Sequence, residues 1–463
     1  MTEFAKIIPV VNDSIESSIQ SNIIDSIGNR IATNKMKSPK EIIEIFNTGR
    51  IDKDWSFKDS KPTETGKWTH NYHRYPAKFI PQLVEKLFDD YIIDKNAHVN
   101  DPFMGSGTTV VTAISRGLKV SGTDINKIAY LITKVKSTPI EPKYLNEKIN
   151  QFLSKLKDPK IIPLIPQNNI ERINYWFTED NKNELGRILK VIYDEEDPSI
   201  RDFYLVTFSH ILKSCSIWLQ RSTKPTRDLK KKPVDPKEAL RKHLLKMKKG
   251  NDDFYKIIPV NVLENLKEYL NIEIGDVRKQ PAPNESVDLV VTSSPYVTSY
   301  EYADLHQLST IWLNLADDLT QYKKEFIGTS HKEYKNKKLR SKIAIDIVDK
   351  MTQKSKKTAE EIKTFFIDME GVFDESFRIL KYGGRCCYVI GDTKLKGIDI
   401  LNAEVFAESL QYSGFKIDRI IKREIPLKIL PQKRDEKTGR FASTQNANSE
   451  AYPIEYIVIG LKE

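Results

Sequence analysis

The sequence predicts an α/β fold in which strands alternate with helices and a ligand binds at the carboxyl ends of the strands. A short extended run around Val99 leads through a glycine-containing turn into the apolar helical stretch 110–114. Two further extended segments, 119–126 and 271–276, each carry an acidic residue at or near their end. The β-branched run 287–291 predicts another buried strand, which ends in a polar turn.

The glycine turn reads Asp-Pro-Phe-Met-Gly-Ser-Gly-Thr-Thr over residues 101–109. Gly105 and Gly107 let the backbone approach a ligand closely, and the helix start offers unpaired N–H groups. A phosphate-binding P-loop needs a lysine after its last glycine, where this chain has Thr108. A dinucleotide-binding turn needs a third glycine, where this chain has Val110. The turn therefore favours a nucleoside ligand without a pyrophosphate.

Two acidic residues agree with a nucleoside ligand. Asp124 follows Gly107 by 17 residues, at the end of the second predicted strand, where a carboxylate suits the two ribose hydroxyls. Asp276 ends the third extended segment and can accept a hydrogen bond from the adenine amino group. The alternative is that both carboxylates only cap strand ends beside turns.

The polar turn Thr-Ser-Ser-Pro-Tyr, residues 292–296, has the residue types that methylation of a base amine requires. The amine lone pair is delocalised into the ring, so acceptors on its two hydrogens are needed to localise it. The Ser293 hydroxyl and the Ser294 carbonyl are the candidate acceptors. Pro295 fixes the turn, and Tyr296 can stack on a base flipped out of the helix. This chemistry needs no metal and no covalent nucleophile, so none is assigned.

With these motifs the chain resembles the DNA amino-methyltransferases of restriction-modification systems. Those enzymes carry Asp-Pro-Phe-x-Gly-Ser-Gly-Thr and a tetrapeptide of the form Asp/Asn/Ser-Pro-Pro-aromatic. The resemblance implies a Rossmann-like, seven-stranded SAM-dependent methyltransferase sheet and S-adenosylmethionine (SAM) as the cofactor. The final extended runs, 415–425 and 452–461, would form its antiparallel end. The cofactor-binding residues expected here are Asp101, Pro102, Phe103, Gly105, Ser106, Gly107, Thr108, Asp124 and Asp276.

The resemblance covers two more segments. Residues 71–81 resemble the segment that these enzymes place against the methionine end of the cofactor, and residues 300–315 resemble the one after the catalytic turn. His70 and His73 lie three residues apart but lack partners at metal-ligand spacing, which favours a surface or cofactor-side role over a metal site. The first segment adds Tyr75, Pro76, Ala77 and Lys78 to the expected cofactor-binding residues.

A serine in the first place of the tetrapeptide is the form associated with cytosine N4, and adenine N6 is the alternative target. The chain departs from the family at Ser294, where a proline is usual, and this loss of stiffness leaves the target base less defined. Two further alternatives stay open. One is an RNA methyltransferase, and the other is a SAM-binding, DNA-binding protein without turnover.

The net charge of +10 is concentrated in two tracts. Residues 224–249 hold 11 basic and 3 acidic residues, and residues 323–363 hold 13 and 6. Such tracts are often only solvated helix faces, but two of them beside a base-modifying motif favour contacts with the phosphates of double-stranded DNA. The loop 428–450 is a further candidate. The expected nucleic-acid-binding residues are Arg221, Lys224, Arg227, Lys230, Lys231 and Lys232.

The chain of 463 residues divides into three parts. Residues 1–66 predict a helical extension with a capping box at Ser38–Glu41. Residues 67–145 and 256–463 form the catalytic domain. Residues 146–255 form a helical insertion, a candidate target-recognition region, with a plain helical cover on the sheet as the alternative.

The chain has three cysteines and no apolar run of about 20 residues, which predicts a cytoplasmic protein without membrane contact. It carries no evident nuclease motif, so any cognate restriction endonuclease is expected to be a separate protein. The sequence does not predict an oligomeric state.

Overall fold

A computed structural model describes residues 22–24, 30–32, 36–75, 78–222, 225–297, 302–316, 319–329, 334, 337–425, 433–434, 449–450 and 454–463. A nine-stranded sheet forms its centre, in the order β2-β1-β10-β13-β7-β6-β3-β4-β5. Two further pairs, β8 with β9 and β11 with β12, lie outside it. The strands are β1 Asn22–Ile24, β2 Arg30–Ala32, β3 His98–Asp101, β4 Lys119–Asp124, β5 Leu270–Ile274, β6 Val287–Ser293, β7 Leu380–Ile390, β8 Thr393–Leu395, β9 Ile398–Ile400, β10 Lys416–Glu424, β11 Lys433–Arg434, β12 Ser449–Glu450 and β13 Ile454–Leu461.

Seven strands of the central sheet, from β10 to β5, match the predicted methyltransferase sheet. β5, β4, β3, β6 and β7 are parallel to one another, so their carboxyl ends meet at one edge. β13 runs antiparallel between β7 and β10, as predicted for the last two extended runs. Because of this reversal, the first residues of β13 lie at the same edge as the carboxyl ends of the parallel strands.

The amino-terminal part differs from the prediction of a wholly helical extension. β1 pairs with β10 and with β2, and these two short strands extend the sheet from seven strands to nine. The capping box is present: the Glu41 amide donates to Ser38 Oγ at 3.4 Å, and the Ser38 amide donates to the Glu41 carboxylate at 2.8 Å. Two three-residue strands are too short to show a period in the sequence. They are defined by pairing, β1 with β10 and β2 with β1.

The sequence predicts an amphipathic helix over 365–380 that ends at Gly383 and Gly384, followed by a strand over 385–391. β7 begins at Leu380, five residues before that predicted strand. Instead Gly383 lies inside the strand at φ +81°, where the register against β6 shifts between Val287 and Leu289. The glycine pair therefore makes an irregularity in the strand, because positive φ there costs glycine little.

Helices cover both faces of the sheet, and the predicted insertion forms a helical layer of its own. Its helices α6 to α10 share one buried core with α5 and α14. Among the residues that the structure describes, no helix is both long and apolar enough to cross a bilayer. The helices are α1 Pro39–Thr48, α2 Pro62–Thr65, α3 Pro81–Tyr91, α4 Thr108–Ser115, α5 Lys127–Ser137, α6 Pro142–Lys155, α7 Ile170–Trp176, α8 Glu179–Tyr193, α9 Pro198–Cys215, α10 Pro236–Tyr255, α11 Val260–Glu264, α12 Leu266–Tyr269, α13 Tyr302–Leu305, α14 Gln307–Trp312, α15 Leu319–Glu325, α16 Lys342–Thr352, α17 Lys356–Ile379 and α18 Asn402–Tyr412.

Candidate active site

A cleft at the carboxyl ends of β3, β4, β5 and β6 encloses about 820 Å³ of empty space, part of it open to solvent. It brings together residues from the glycine turn, both predicted acids and the polar turn. Of the predicted cofactor-binding and catalytic residues that the structure describes, Asp101, Gly107, Ser294 and Tyr296 lie outside its lining. Those that line it are Tyr75, Lys78, Pro102, Phe103, Gly105, Ser106, Thr108, Asp124, Asp276, Ser293 and Pro295.

The glycine turn is held against Asp124 by backbone hydrogen bonds. The Gly105 amide donates to Asp124 Oδ2 at 2.9 Å, and the Asn126 amide donates to Oδ1 at 2.8 Å. Gly107 lies at φ +73°, and a Cβ there would come within 2.7 Å of Thr133 Cγ2. The turn therefore needs glycine at 107 for both its backbone angle and its packing.

Burial raises the pKa values of Asp101 and Asp124, the two acidic residues beside the glycine turn. The pKa of Asp124 rises to about 6, although the Asn126 and Gly105 amides lower it in part. The pKa of Asp101 rises to about 7, and its side chain is buried under the turn, where Oδ1 accepts from the Phe103 amide at 3.1 Å. Asp101 therefore supports the turn from below, while Asp124 faces the cleft.

Asp276 faces the cleft with its carboxylate fixed by an arginine. The Arg278 guanidinium donates from Nε to Oδ1 at 2.9 Å and from Nη2 to Oδ2 at 2.6 Å. Arg278 is in turn held by the fully buried Asp368 side chain and by the Tyr334 hydroxyl, 2.6 Å from Nη1. The side chain of Asp276 is 41% exposed, so the carboxylate is oriented yet accessible.

The polar turn approaches the cleft with Ser293 and Pro295. Ser294 is buried at 2% exposure. Tyr296 is half-buried, and its hydroxyl donates to Glu455 Oε1 at 2.9 Å, on β13. Ser293 therefore shares a cleft with Asp124 and Asp276. The Tyr296 hydroxyl is instead hydrogen-bonded to Glu455 of the sheet.

The predicted methionine-end segment borders the cleft from the other side. Its Tyr75 ring lies 3.2 Å from where a Cβ on Gly105 would be, and it packs on His306 with ring centroids 4.9 Å apart. The Lys78 ammonium donates to the His70 carbonyl at 3.0 Å. His70 itself is buried. Pro76 and Ala77 lie outside the described residues.

The cleft also includes residues that the sequence analysis did not single out. Ile125 and Val277 directly follow the two predicted acids. Their place in the sequence could therefore have been used to predict that they line the cleft. Glu325, Phe326 and Ile327 come from the second basic tract, which was expected to contact phosphates. At least this part of the tract forms a wall of the cleft. Its neighbour Tyr322 accepts from the Lys127 amide at 3.0 Å, which ties the wall to the segment after Asp124.

The basic residues of the insertion lie on a hairpin-like turn, where Trp218 bridges Arg227 across antiparallel backbone. Four of the predicted residues are exposed: Arg221, Arg227, Lys230 and Lys232. Lys224 lies outside the described residues.

Lys231 differs from its neighbours and from the prediction. Its partly buried ammonium donates to the Lys213 and Trp218 carbonyls at 2.7 and 2.8 Å. Burial, with repulsion from Lys213, lowers its pKa to about 8. In this structure the Lys231 ammonium therefore holds the turn together, and its donors are directed at backbone.

Comparison with known proteins shows which protein family and which individual proteins the chain is similar to. A family described as DNA methylase matches residues 21–135. The chain is 28% identical over 421 residues to the type II methyltransferase M.MvaI of Kocuria varians, covering 83% of this chain and 90% of that protein. It is 22% identical to the type II methyltransferase M.BsoBI of Geobacillus stearothermophilus, over 77% and 81% of the two chains.

Among solved structures, the chain is similar to the SAM complex of TTHA0409, a putative DNA modification methylase from Thermus thermophilus. The identity is 19% over 41% of this chain and 51% of that one, with a TM-score of 0.21. A TM-score this low does not relate two folds, so the relationship rests on the sequence matches.

Proposed function

We propose that the chain is a SAM-dependent, sequence-specific DNA amino-methyltransferase that methylates the N4 amine of cytosine. The matches to the DNA methylase family and to two type II methyltransferases support this proposal. The observation that carries the proposal is the shared cleft, in which Ser293 lies with Asp124 and Asp276. The serine at the first position of the tetrapeptide supports cytosine over adenine.

In this mechanism the chain positions two reactants and does no covalent chemistry of its own. Asp124 accepts from the ribose hydroxyls of SAM, and Asp276 accepts from its adenine amine. SAM supplies an electrophilic methyl group. The Ser293 hydroxyl and the Ser294 carbonyl accept from the target amine and direct its lone pair toward that methyl. Transfer of that methyl to the amine nitrogen would release S-adenosylhomocysteine, and the amine would lose one proton to solvent.

DNA would reach this cleft with its target base extruded, because the amine is inaccessible inside a duplex. The insertion, residues 146–255, lies between the two motifs in sequence and presents the exposed cations Arg221, Arg227 and Lys232. These cations suit phosphate contacts, and we assign the insertion as the target-recognition region. A separate endonuclease that cuts the same site would complete a restriction-modification pair.

The test is tritium transfer from labelled SAM to unmethylated DNA, followed by digestion and identification of the nucleoside. Label in N4-methylcytosine is the expected result, and label in N6-methyladenine would assign the other base. SAM binding without label in DNA would reject the proposal. An excess of tRNA that removed the label from DNA would favour an RNA substrate.

Two serine variants complete the test. Ser293→Ala should reduce transfer about 100-fold, because an aligned hydrogen-bond partner of the reacting group is lost. Ser286→Ala is the matched control, since Ser286 precedes the same strand at its opposite end and donates to the Pro283 carbonyl at 2.8 Å.

A further inference from the structure

Glu455 is a buried acidic residue in a mostly apolar strand. It is 8% exposed at the start of β13, among strand residues that are otherwise mostly buried and apolar. It faces Arg423 of β10 across the antiparallel ladder, and Arg423 Nη1 donates to Glu455 Oε2 at 2.8 Å. Arg423 is 3% exposed, and its Nε donates to the Trp55 carbonyl at 2.8 Å.

A buried ion pair of this kind adds little to stability, because the cost of removing two charges from water offsets most of their attraction. Arg423 binds one oxygen of Glu455 and leaves the other available. That oxygen, Oε1, accepts the Tyr296 hydroxyl at 2.9 Å. The pair is therefore joined directly to the last residue of the polar turn.

The backbone at Gly391 also restricts the Tyr296 ring. Gly391 follows β7, and a Cβ there would lie 3.2 Å from Tyr296 Cε1 and 3.3 Å from the Ile454 carbonyl. The ring thus packs closely on backbone at its hydroxyl end, the same end that Glu455 binds. Because Cε1 lies off the axis from Cβ to the hydroxyl, this contact limits rotation of the ring plane, while the hydrogen bond to Glu455 fixes the position of the hydroxyl.

We infer that Glu455, oriented by Arg423, is a positioning residue that sets the plane of the Tyr296 ring for stacking on the extruded base. The inference rests on the proposed function, because it assigns Tyr296 to the target base. It adds a positioning pair from β10 and β13 to a site otherwise formed by β3 to β6. The expected loss when the pair is broken is in turnover, since a misplaced base is still bound but reacts slowly.

The experiment is a double-mutant cycle on Tyr296→Phe and Glu455→Gln, with turnover measured at saturating SAM and unmethylated DNA. Each single variant should lose about 10- to 100-fold in turnover. The double variant should lose no more than the single ones, because both changes break one link. The dissociation constants for SAM and for DNA should stay within about twofold of the native values, a split that a general structural defect would not give.

Asp418→Asn is the matched control. Asp418 accepts from Arg385 at 2.8 Å on the same sheet, toward the opposite edge, so its loss should change melting temperature and leave turnover unchanged. If Glu455→Gln does not fold because Arg423 is left unpaired, Arg423→Met with Glu455→Leu removes the whole pair and should show the same loss of turnover.

Multiplying losses in the double variant would overturn the inference, as would native turnover in a folded variant without the pair. A native protein that binds SAM and labels no DNA would instead overturn the proposed function. The two failures are therefore distinguishable.

Discussion

Arg278 binds both carboxylate oxygens of Asp276 in a fork, and it is anchored behind them by Asp368 and Tyr334. The predicted adenine acceptor is thus a fixed group whose direction depends on an arginine two residues away. A lysine cannot reproduce two parallel donors from one plane.

Arg278→Lys should therefore weaken binding of S-adenosylhomocysteine about tenfold, as expected for one charge-assisted hydrogen bond. It should also reduce the preference for that ligand over S-inosylhomocysteine, which lacks the amine. Isothermal titration of both ligands measures this. Arg385→Lys, which alters a similar ion pair away from the cleft, is the control. An unchanged preference would contradict the role of Asp276.

The raised pKa of Asp124 predicts a pH dependence of cofactor binding. Burial raises it to about 6, so below that pH the free protein carries a proton on this carboxyl. Ribose hydroxyls favour the charged form, hence affinity for SAM should increase as pH rises through about 6 and then level off. Titrations between pH 5 and 8 measure this, and Asp124→Asn should flatten the curve. A native curve that falls over that range would exclude the assignment.

Gly107→Ala tests the glycine turn. The change forces an alanine to φ +73° and places its Cβ 2.7 Å from Thr133 Cγ2, so the turn must move. We expect SAM affinity to fall by about 100-fold or more, since misplacement of about 1 Å has costs of that size. Gly383→Ala is the control, because Gly383 has φ +81° and nothing within 4 Å of its Cβ. It should lose about 1–2 kcal/mol of unfolding free energy and keep native affinity.

Ser294→Pro tests the departure from the family tetrapeptide. Ser293 already lies in an extended strand, which is the backbone that a following proline requires. The variant should keep its turnover and gain about 0.4–1 kcal/mol of unfolding free energy through lower entropy of the unfolded chain. Denaturant unfolding and tritium transfer measure the two effects. Activity that arises only in the variant would favour the binder without turnover.

Lys231→Ala should affect stability, and Lys232→Ala should affect DNA binding. Loss of the Lys231 ammonium leaves two carbonyls of the turn without their donor, which should lower the unfolding free energy by about 1–3 kcal/mol. Lys232 is exposed, so its loss should leave stability unchanged and reduce the slope of log affinity for DNA against log salt by about 1. Equal salt slopes for Lys232→Ala and the native chain would remove Lys232 from the DNA surface.

The sequence predicted the elements whose residues act close to one another along the chain. The turn at Gly105 and Gly107, the carboxylate of Asp124 and the capping box at Ser38 each follow from local backbone chemistry. The roles of Glu455 and Lys231 could not be predicted, because long-range register and backbone partners 13 and 18 residues away define them. The place of Phe326 in the cleft was not predicted, because the surrounding tract was interpreted from its charge alone.

The helical layer has a consequence for the target-recognition role that we propose for it. Because α6 to α10 share buried residues with α5 and α14, transplanting that region from a relative would leave mismatched apolar surfaces on both pieces. New specificity would be easier to acquire by altering the solvent-facing tip around Arg221 and Arg227 one side chain at a time. Chimeras cut at the boundaries of the insertion should accordingly be insoluble, whereas tip libraries should express well.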